Sequence, residues 1–300
     1  MLTSQFGIEI EFTGITRQRA AEVAVAVLGG RADYVGGGYE AYRVKASDGR
    51  EWKFVYDGSI HAQFKQRGRK INASSDDSVE LVSPILTYER DMDTLQNLVR
   101  ALRKAGGFVN DSVGIHIHLD GARHSPKSIR NFINIVASKN DLFYKALQIK
   151  PDRMRYCKKM DESLVQKMNE RRPRTMGQIR DIWYEASGGF DTRHYHSSRY
   201  HFLNLHSFFT GHHTVELRGF NSTLHAGLVR SYVVLALALN HQALTQKSAS
   251  ARKPQTENEK FSMRTYLVRI GFVGDAFKNC REHLCKHLSG NAAWRFGSAA

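Results

Sequence analysis

Four short stretches of the chain set acidic, imidazole or guanidinium side chains at alternate positions between apolar ones. They are "FGIEIEF" (residues 6–12), "VELVSP" (79–84), "GIHIHLD" (114–120) and "TVELRGF" (214–220). Read as strands, successive side chains fall on opposite faces. Ile8, Ile10 and Phe12 then share one face, and Glu9 and Glu11 the other. Glu80 stands between Val79 and Leu81. His116 and His118 are backed by Ile115, Ile117 and Leu119, and Glu216 and Arg218 by Val215 and Leu217. The apolar side of each strand implies burial, so the charged side faces solvent or a cleft. For a single strand a solvated face is the ordinary reading. The set is unusual, because the alternate positions carry Glu, Glu, Glu, His, His, Glu and Arg instead of a mixture of Thr, Lys, Ser and Gln.

Convergence of these residues would define the chemistry. Each close carboxylate pair costs about 1–4 kcal/mol, depending on the local dielectric, unless cations neutralise it. Oxygen-rich donor sets with one or two imidazoles suit Mg2+ or Mn2+ better than Zn2+. An arginine among carboxylates offers a planar fork to a phosphate or to developing negative charge. The pattern predicts a divalent-metal, phosphate-handling site. The chain has neither a Walker A pattern nor a G-x-G-x-x-G.

The elements that must position these residues alternate without strict βαβ order, which predicts an α+β class with a largely antiparallel sheet. Thr16 caps a first helix that stops at Gly29-Gly30. "YEAYRVK" and "EWKFVYD" pair around the turn "SDGR", and "VGGGYEAY" reads as a flexible hairpin or a flap. Pro84 stops the "VELV" strand, and residues 91–104 form an amphipathic helix. Ser125-Pro126 opens a long helix that runs towards Gln148. Basic loops are expected at "KQRGRK" (65–70), "NERRPRT" and "SGGFDTRHYHSSRY". "YHFLNLHSFF" and "HTVELRGF" read as the last two strands, followed by a helix over 224–243, a hinge at 246–256 and a helical tail.

Composition narrows the partners. With 41% hydrophobic residues, the 300-residue chain supports a large core. Lys and Arg outnumber Asp and Glu by 44 to 29, a net charge of +15 that favours polyanionic partners. Three cysteines, Cys157, Cys280 and Cys285, follow no paired framework and fit a reducing, cytoplasmic setting. "MLTSQFG" has no basic n-region or apolar h-region, so no signal peptide is expected. The longest greasy run, "YVVLALAL", is far short of the roughly 20 residues a span needs, so no membrane association is expected.

In order along the chain, "GIEIEF", "VELVSP", "GIHIHLD" and "TVELRGFNST" resemble the amidoligase family. That family belongs to the carboxylate-amine ligase superfamily of glutamine synthetase and glutamate-cysteine ligase. "RYHFLNL" (199–205) also fits, and the resemblance covers about residues 6–239. It implies a glutamine synthetase-like catalytic fold with a curved, largely antiparallel sheet, the active site on the concave face and helices on the other. It implies ATP with Mg2+ or Mn2+ as cofactors. Glu9 and Glu11 would divide between two metal ions, and Glu80 would join one. His116 would bind metal, and His118 would meet ATP phosphate. Glu216 would bind metal and Arg218 would touch the transferred phosphate, making these two the catalytic pair, with Arg199 assisting the nucleotide. Asp57 and Ser59 of "DGSI" also recur in the family. Glutamine synthetases place a further metal carboxylate soon after the middle glutamate, a stretch that here reads "LVSPILTYERD" and offers Glu89.

The implied activity is amide formation from a carboxylate and an amine through an acyl phosphate. The acceptor would be a small metabolite, a peptide, an anionic envelope polymer or a nucleic acid, often in a phage or mobile-element setting. The expected domain plan is a catalytic domain over 1–245, interrupted by a basic insertion at about 150–198, then a basic helical tail over 246–300. Two rivals share the composition: a metal-dependent nuclease or phosphohydrolase, and a non-catalytic basic nucleic-acid-binding protein. "CREHLCKH" brings Cys280, His283 and His287 near one helical face, a weak zinc pattern beside the plainer reading of an exposed tail.

Overall fold

A computed structural model describes residues 1–188, 196–254 and 256–293. In chain order the elements are β1 (Phe6–Phe12), α1 (Arg17–Leu28), β2 (Arg31–Gly36), β3 (Ala41–Lys45), β4 (Glu51–Val55), β5 (Gln63–Gln66) and β6 (Arg69–Asn72). Then come β7 (Val79–Val82), α2 (Tyr88–Lys104), β8 (Gly114–Asp120), α3 (Pro126–Ala146), α4 (Glu162–Arg171) and α5 (Met176–Ala186). The series ends with β9 (Leu203–Asn204), α6 (His206–Phe209), β10 (Thr214–Asn221), α7 (Ala226–Thr245), α8 (Glu259–Arg269) and α9 (Lys278–Cys285). The fold class is mixed α+β. Each strand pair with a defined register is antiparallel.

The chain divides into two compact units, one of residues 5–117 and 220–232, the other of residues 1–4, 118–219 and 233 onward. In the first, the strands run β2-β3-β4-β7-β1-β8, with β8 contributing Gly114–Ile117. The opening strand is therefore interior, flanked by β7 and β8. Registers show how alternation sorts the side chains. Phe54 pairs with Leu81 and Leu81 with Ile10, a row with no solvent exposure. The next row, Val55–Glu80–Glu11, faces the other way. Helix α1 packs on β3, β4 and α2, and Ala20, Ala21 and Ala24 of α1 and Leu95, Leu98 and Val99 of α2 are buried. The apolar face is thus closed by helices.

Local chemistry ends and anchors these elements. Thr16 accepts a hydrogen bond from the Arg19 amide at the start of α1. At Gly30, with φ +82°, a Cβ would stand 1.9 Å from the Lys45 carbonyl, so only glycine passes. Helix α2 starts three residues earlier than the amphipathic pattern predicted. Buried Asp91 accepts from the Thr87 amide (2.7 Å) and pairs with Arg50 and Arg90, which anchors the start of the helix. Buried Arg17 donates to the Ser78 carbonyl (3.0 Å), to Asp76 (3.2 Å) and to Glu40, which ties the β2–β3 hairpin at the glycine run down. The basic segment expected as a loop is a hairpin, β5–β6, turned at Arg67 and Gly68, both with positive φ.

The second unit holds the remainder of β8 with β10 and β9, in the order β8-β10-β9. Ser125 and Ser128 form a capping box at the start of α3, with Pro126 at its first position. In α7, Val233–Leu239 are wholly buried, as the greasy run predicted. No helix among the described residues is long and apolar enough to cross a membrane. Two expectations change here. "YHFLNLHSFF" is not one strand: Leu203–Asn204 form β9 and His201 an isolated bridge to Lys158, and Asn204 Oδ1 accepts from the His206 amide (2.7 Å) and turns the chain into α6. "NERRPRT" straddles the end of α4 and the start of α5, capped by Asp161 and Thr175. Half of the "SGGFDTRHYHSSRY" loop, residues 189–195, lies outside the described residues.

Candidate active site

In the first unit, β1, β7 and β8 carry a cluster of acids around one imidazole. Glu11 and Glu80 are direct antiparallel partners, which places two carboxylates side by side in adjacent strands. Glu11 is 4% exposed, far below what an unpaired surface glutamate would be. Its Oε2 accepts from the Gly114 amide (2.6 Å), and its carbonyl accepts from Ser222 Oγ. Backbone and side chain are thus both fixed. His116 lies between the paired glutamates of β1: Nδ1 is 2.9 Å from Glu9 Oε2, and Nε2 is 3.7 Å from Glu11 Oε1. A proton on Nδ1 donated to Glu9 leaves an Nε2 lone pair, the usual way a ligand histidine is held in tautomer.

Asp57 of "DGSI", singled out in the sequence without a role, joins this cluster. Ligand atoms of Glu11, Asp57 and Glu80 all lie within 4.8 Å of one another, and so do those of Glu9, Glu80 and His116. Glu80 belongs to both triplets. The Asp57 turn is built for the purpose: Asp57 Oδ1 accepts from the Ser59 amide (2.7 Å), and its own amide and carbonyl bond to Ser78 Oγ, next to β7. The signal in the sequence was the "DGSI" turn between strands. Glu89, by contrast, lies in the first turn of α2 and outside these triplets.

In the second unit, His118, Glu216 and Arg218 form a compact polar group. Arg218 Nη1 donates to Glu216 Oε1 (2.6 Å), and both side chains are buried. Asn204 Nδ2 donates to Glu216 Oε2 (2.6 Å), across the β9–β10 pairing of Asn204 with Glu216. His118 Nδ1 meets Thr214 Oγ1 (3.2 Å), and its Nε2 is 3.9 Å from Glu216 Oε1. Buried Arg153 donates to the Arg218 carbonyl (3.1 Å), which steadies β10 from the segment expected as an insertion. Arg199 ends a 3-10 turn, with its guanidinium over the Tyr200 ring. Asn204 was not singled out in the sequence, although "RYHFLNL" drew attention as a stretch.

Cys157, Cys280 and Cys285 are free and buried. Burial pushes the Cys157 thiol up, and its Sγ donates to the Arg153 carbonyl at 3.2 Å. Cys280, His283 and His287 belong to none of the metal-competent groups found among the described residues. His124, two residues before α3, is buried between Ser128 and Asn240, and that burial lowers its affinity for a proton.

The crowded acids of β1 and β7, facing one histidine of β8, could hold a metal ion, and in the second unit Arg218 offers a guanidinium suited to anions. No curated protein matches the chain. A family described as "Putative amidoligase enzyme" matches residues 2–240, a span that contains every residue of both clusters, and the chain belongs to that family.

Proposed function

We propose that the protein is an ATP- and Mg2+-dependent carboxylate-amine ligase that forms an amide through an acyl phosphate. The observation that carries this reading is the pair of donor triplets that share Glu80. Carboxylate oxygens with a single imidazole fit Mg2+ or Mn2+. Glu11, Asp57 and Glu80 would hold one ion, and Glu9 and His116, with Glu80, another. Bound there, divalent ions would neutralise the acids and draw charge from the phosphate oxygens of ATP. Both Glu216 oxygens already accept hydrogen bonds, from Arg218 and Asn204. Metal ligation by Glu216 would use its remaining lone pairs, and its first task is to aim Arg218.

The chemistry follows from what a carboxylate lacks, a leaving group. A substrate carboxylate oxygen attacks the γ-phosphorus of ATP, the bond to ADP breaks, and an acyl phosphate results. Arg218 presents its fork to the transferred phosphoryl oxygens, and His118, steadied by Thr214, meets phosphate beside it. The amine nitrogen then attacks the acyl carbon, loses a proton and expels phosphate. The +15 charge supports an acceptor that is itself anionic. The test is ADP release with ATP and Mg2+ across panels of amines and carboxylates. Release that requires one member of each panel and stops with EDTA is expected. Cleavage of nucleic acid, or ADP release indifferent to the amine, would contradict the ligase reading.

A further inference from the structure

Away from both clusters, the second unit contains a cavity of about 550 Å3 between α3, α7, the segment after α7, and α8. No residue of β1, β7, β8 or β10 lines it. Its charged walls are all of one sign: Lys139 from α3 and Arg269 from α8, with His241 from α7 beside them and no carboxylate among the lining residues. Lys139 is half-buried, its ammonium 5.1 Å from the centre of the Tyr266 ring. Burial first, and then the neighbouring Arg269, lower its affinity for a proton. Neither Lys139 nor Arg269 makes an ion pair among the described residues. Cations placed on a surface usually find an acid or point into water. Half-buried Lys139, with exposed Arg269 and the His241 imidazole beside it, gives this concave space a positive wall that an anion would complement.

The walls are also fixed. The stretch expected as a hinge is tied down where it lines the cavity. Buried Asn131 donates to the Gln246 carbonyl (2.8 Å) and accepts from the Ala249 amide (3.0 Å), and Asn134 donates to the Ala249 carbonyl (2.9 Å). Tyr266 donates its hydroxyl to Gln242 (2.8 Å), which in turn donates to Gln246 (2.7 Å). The volume falls in the range of about 300–1,000 Å3 typical of small-molecule sites. We propose that this cavity, lined by Lys139, Arg269 and His241, binds a small polyanion, a phosphorylated or polycarboxylate metabolite. The ammonium and guanidinium groups pair with its anionic oxygens, and the Tyr266 ring lies beneath. This assignment does not depend on the ligase reading.

Calorimetric titration of the full chain in EDTA with pyrophosphate and with citrate tests it and separates the two chemistries. At least one anion should saturate a single site with Kd below about 1 mM. Lys139→Gln and Arg269→Gln should each weaken binding about tenfold or more, and Lys139→Arg should retain most of it. Arg218→Ala should bind as the parent does. Arg269 is exposed, so its variant keeps the fold, and melting temperatures equal to the parent's would confirm this for the three cavity variants. The proposal is overturned if neither anion saturates, if both glutamine variants bind as the parent does, or if Arg218→Ala abolishes binding.

Discussion

Arg218 and Glu216 form a buried ion pair on β10, and such a pair is best read by what each member does for the other. Glu216 fixes the guanidinium, and Asn204 fixes Glu216 from the neighbouring strand. Removing the fork should remove charge stabilisation that matters most in the transition state, so Arg218→Ala should lower turnover about 100-fold or more. The same variant should still melt cooperatively, as calorimetry would show. Asn204→Ala should lower turnover about 10- to 100-fold, because it acts through Glu216 and not on substrate. Steady-state kinetics should place that loss in kcat more than in KM. Alternation alone made Glu9, Glu11, Glu80, His116, His118, Glu216 and Arg218 legible in the sequence, since a strand sends every second side chain to one face. Asp57 and Asn204 were not legible in the same way. One sits in a turn, where periodicity carries no information, and the other acts through a cross-strand register that only folding sets.

At the scale of elements, the β1–β7 pairing carries a built-in conflict. Glu11 faces Glu80 directly, and like charges so placed destabilise a sheet by about 0.2–1 kcal/mol. Glu80→Gln should therefore leave the metal-free protein as stable as the parent or more so, while shrinking the stabilisation gained on adding Mn2+. Melts with EDTA and with Mn2+ would measure both. Helix α2 depends on a second acid. Burial alone would raise the Asp91 carboxyl, but hydrogen bonds from Arg50, Arg90 and the Thr87 amide hold it far below its ordinary 3.8. A depressed folded-state pKa gives stability that is present above the unfolded value and lost as pH falls below it. Asp91→Asn should cost about 1–3 kcal/mol near neutral pH. The gap from the parent should close as pH drops from 5 towards 2, as acid titration by circular dichroism would show. Helices α4 and α5 were missed for a related reason. Their polar, arginine-rich faces hide a narrow buried stripe of Leu164, Met168, Ile179 and Ile182, and their caps are Asp161 and a box of Thr175 with Gln178.

For the molecule as a whole, the surplus of +15 predicts how substrate arrives. An anionic acceptor should be drawn in by the long-range field, which salt screens over about 8 Å at physiological strength. Raising NaCl should then depress kcat/KM for anionic acceptors and leave neutral ones nearly unchanged, a comparison initial-rate assays can make. The family span of residues 2–240 contains the clusters and most of the strand framework. The sequence conveyed the class of fold because its buried strands alternate so cleanly. The division of the chain within β8 and β10 was not legible, since it follows from packing and no glycine- or proline-rich linker marks it. The central claim is that a substrate carboxylate attacks ATP. Its most direct test uses a carboxylate–amine pair identified by ADP release, with the carboxylate labelled with 18O, and mass spectrometry of the inorganic phosphate released. Transfer of one 18O from carboxylate to phosphate for each amide formed is the predicted result. Phosphate that takes its new oxygen from water, with the carboxylate label untouched, would contradict the account.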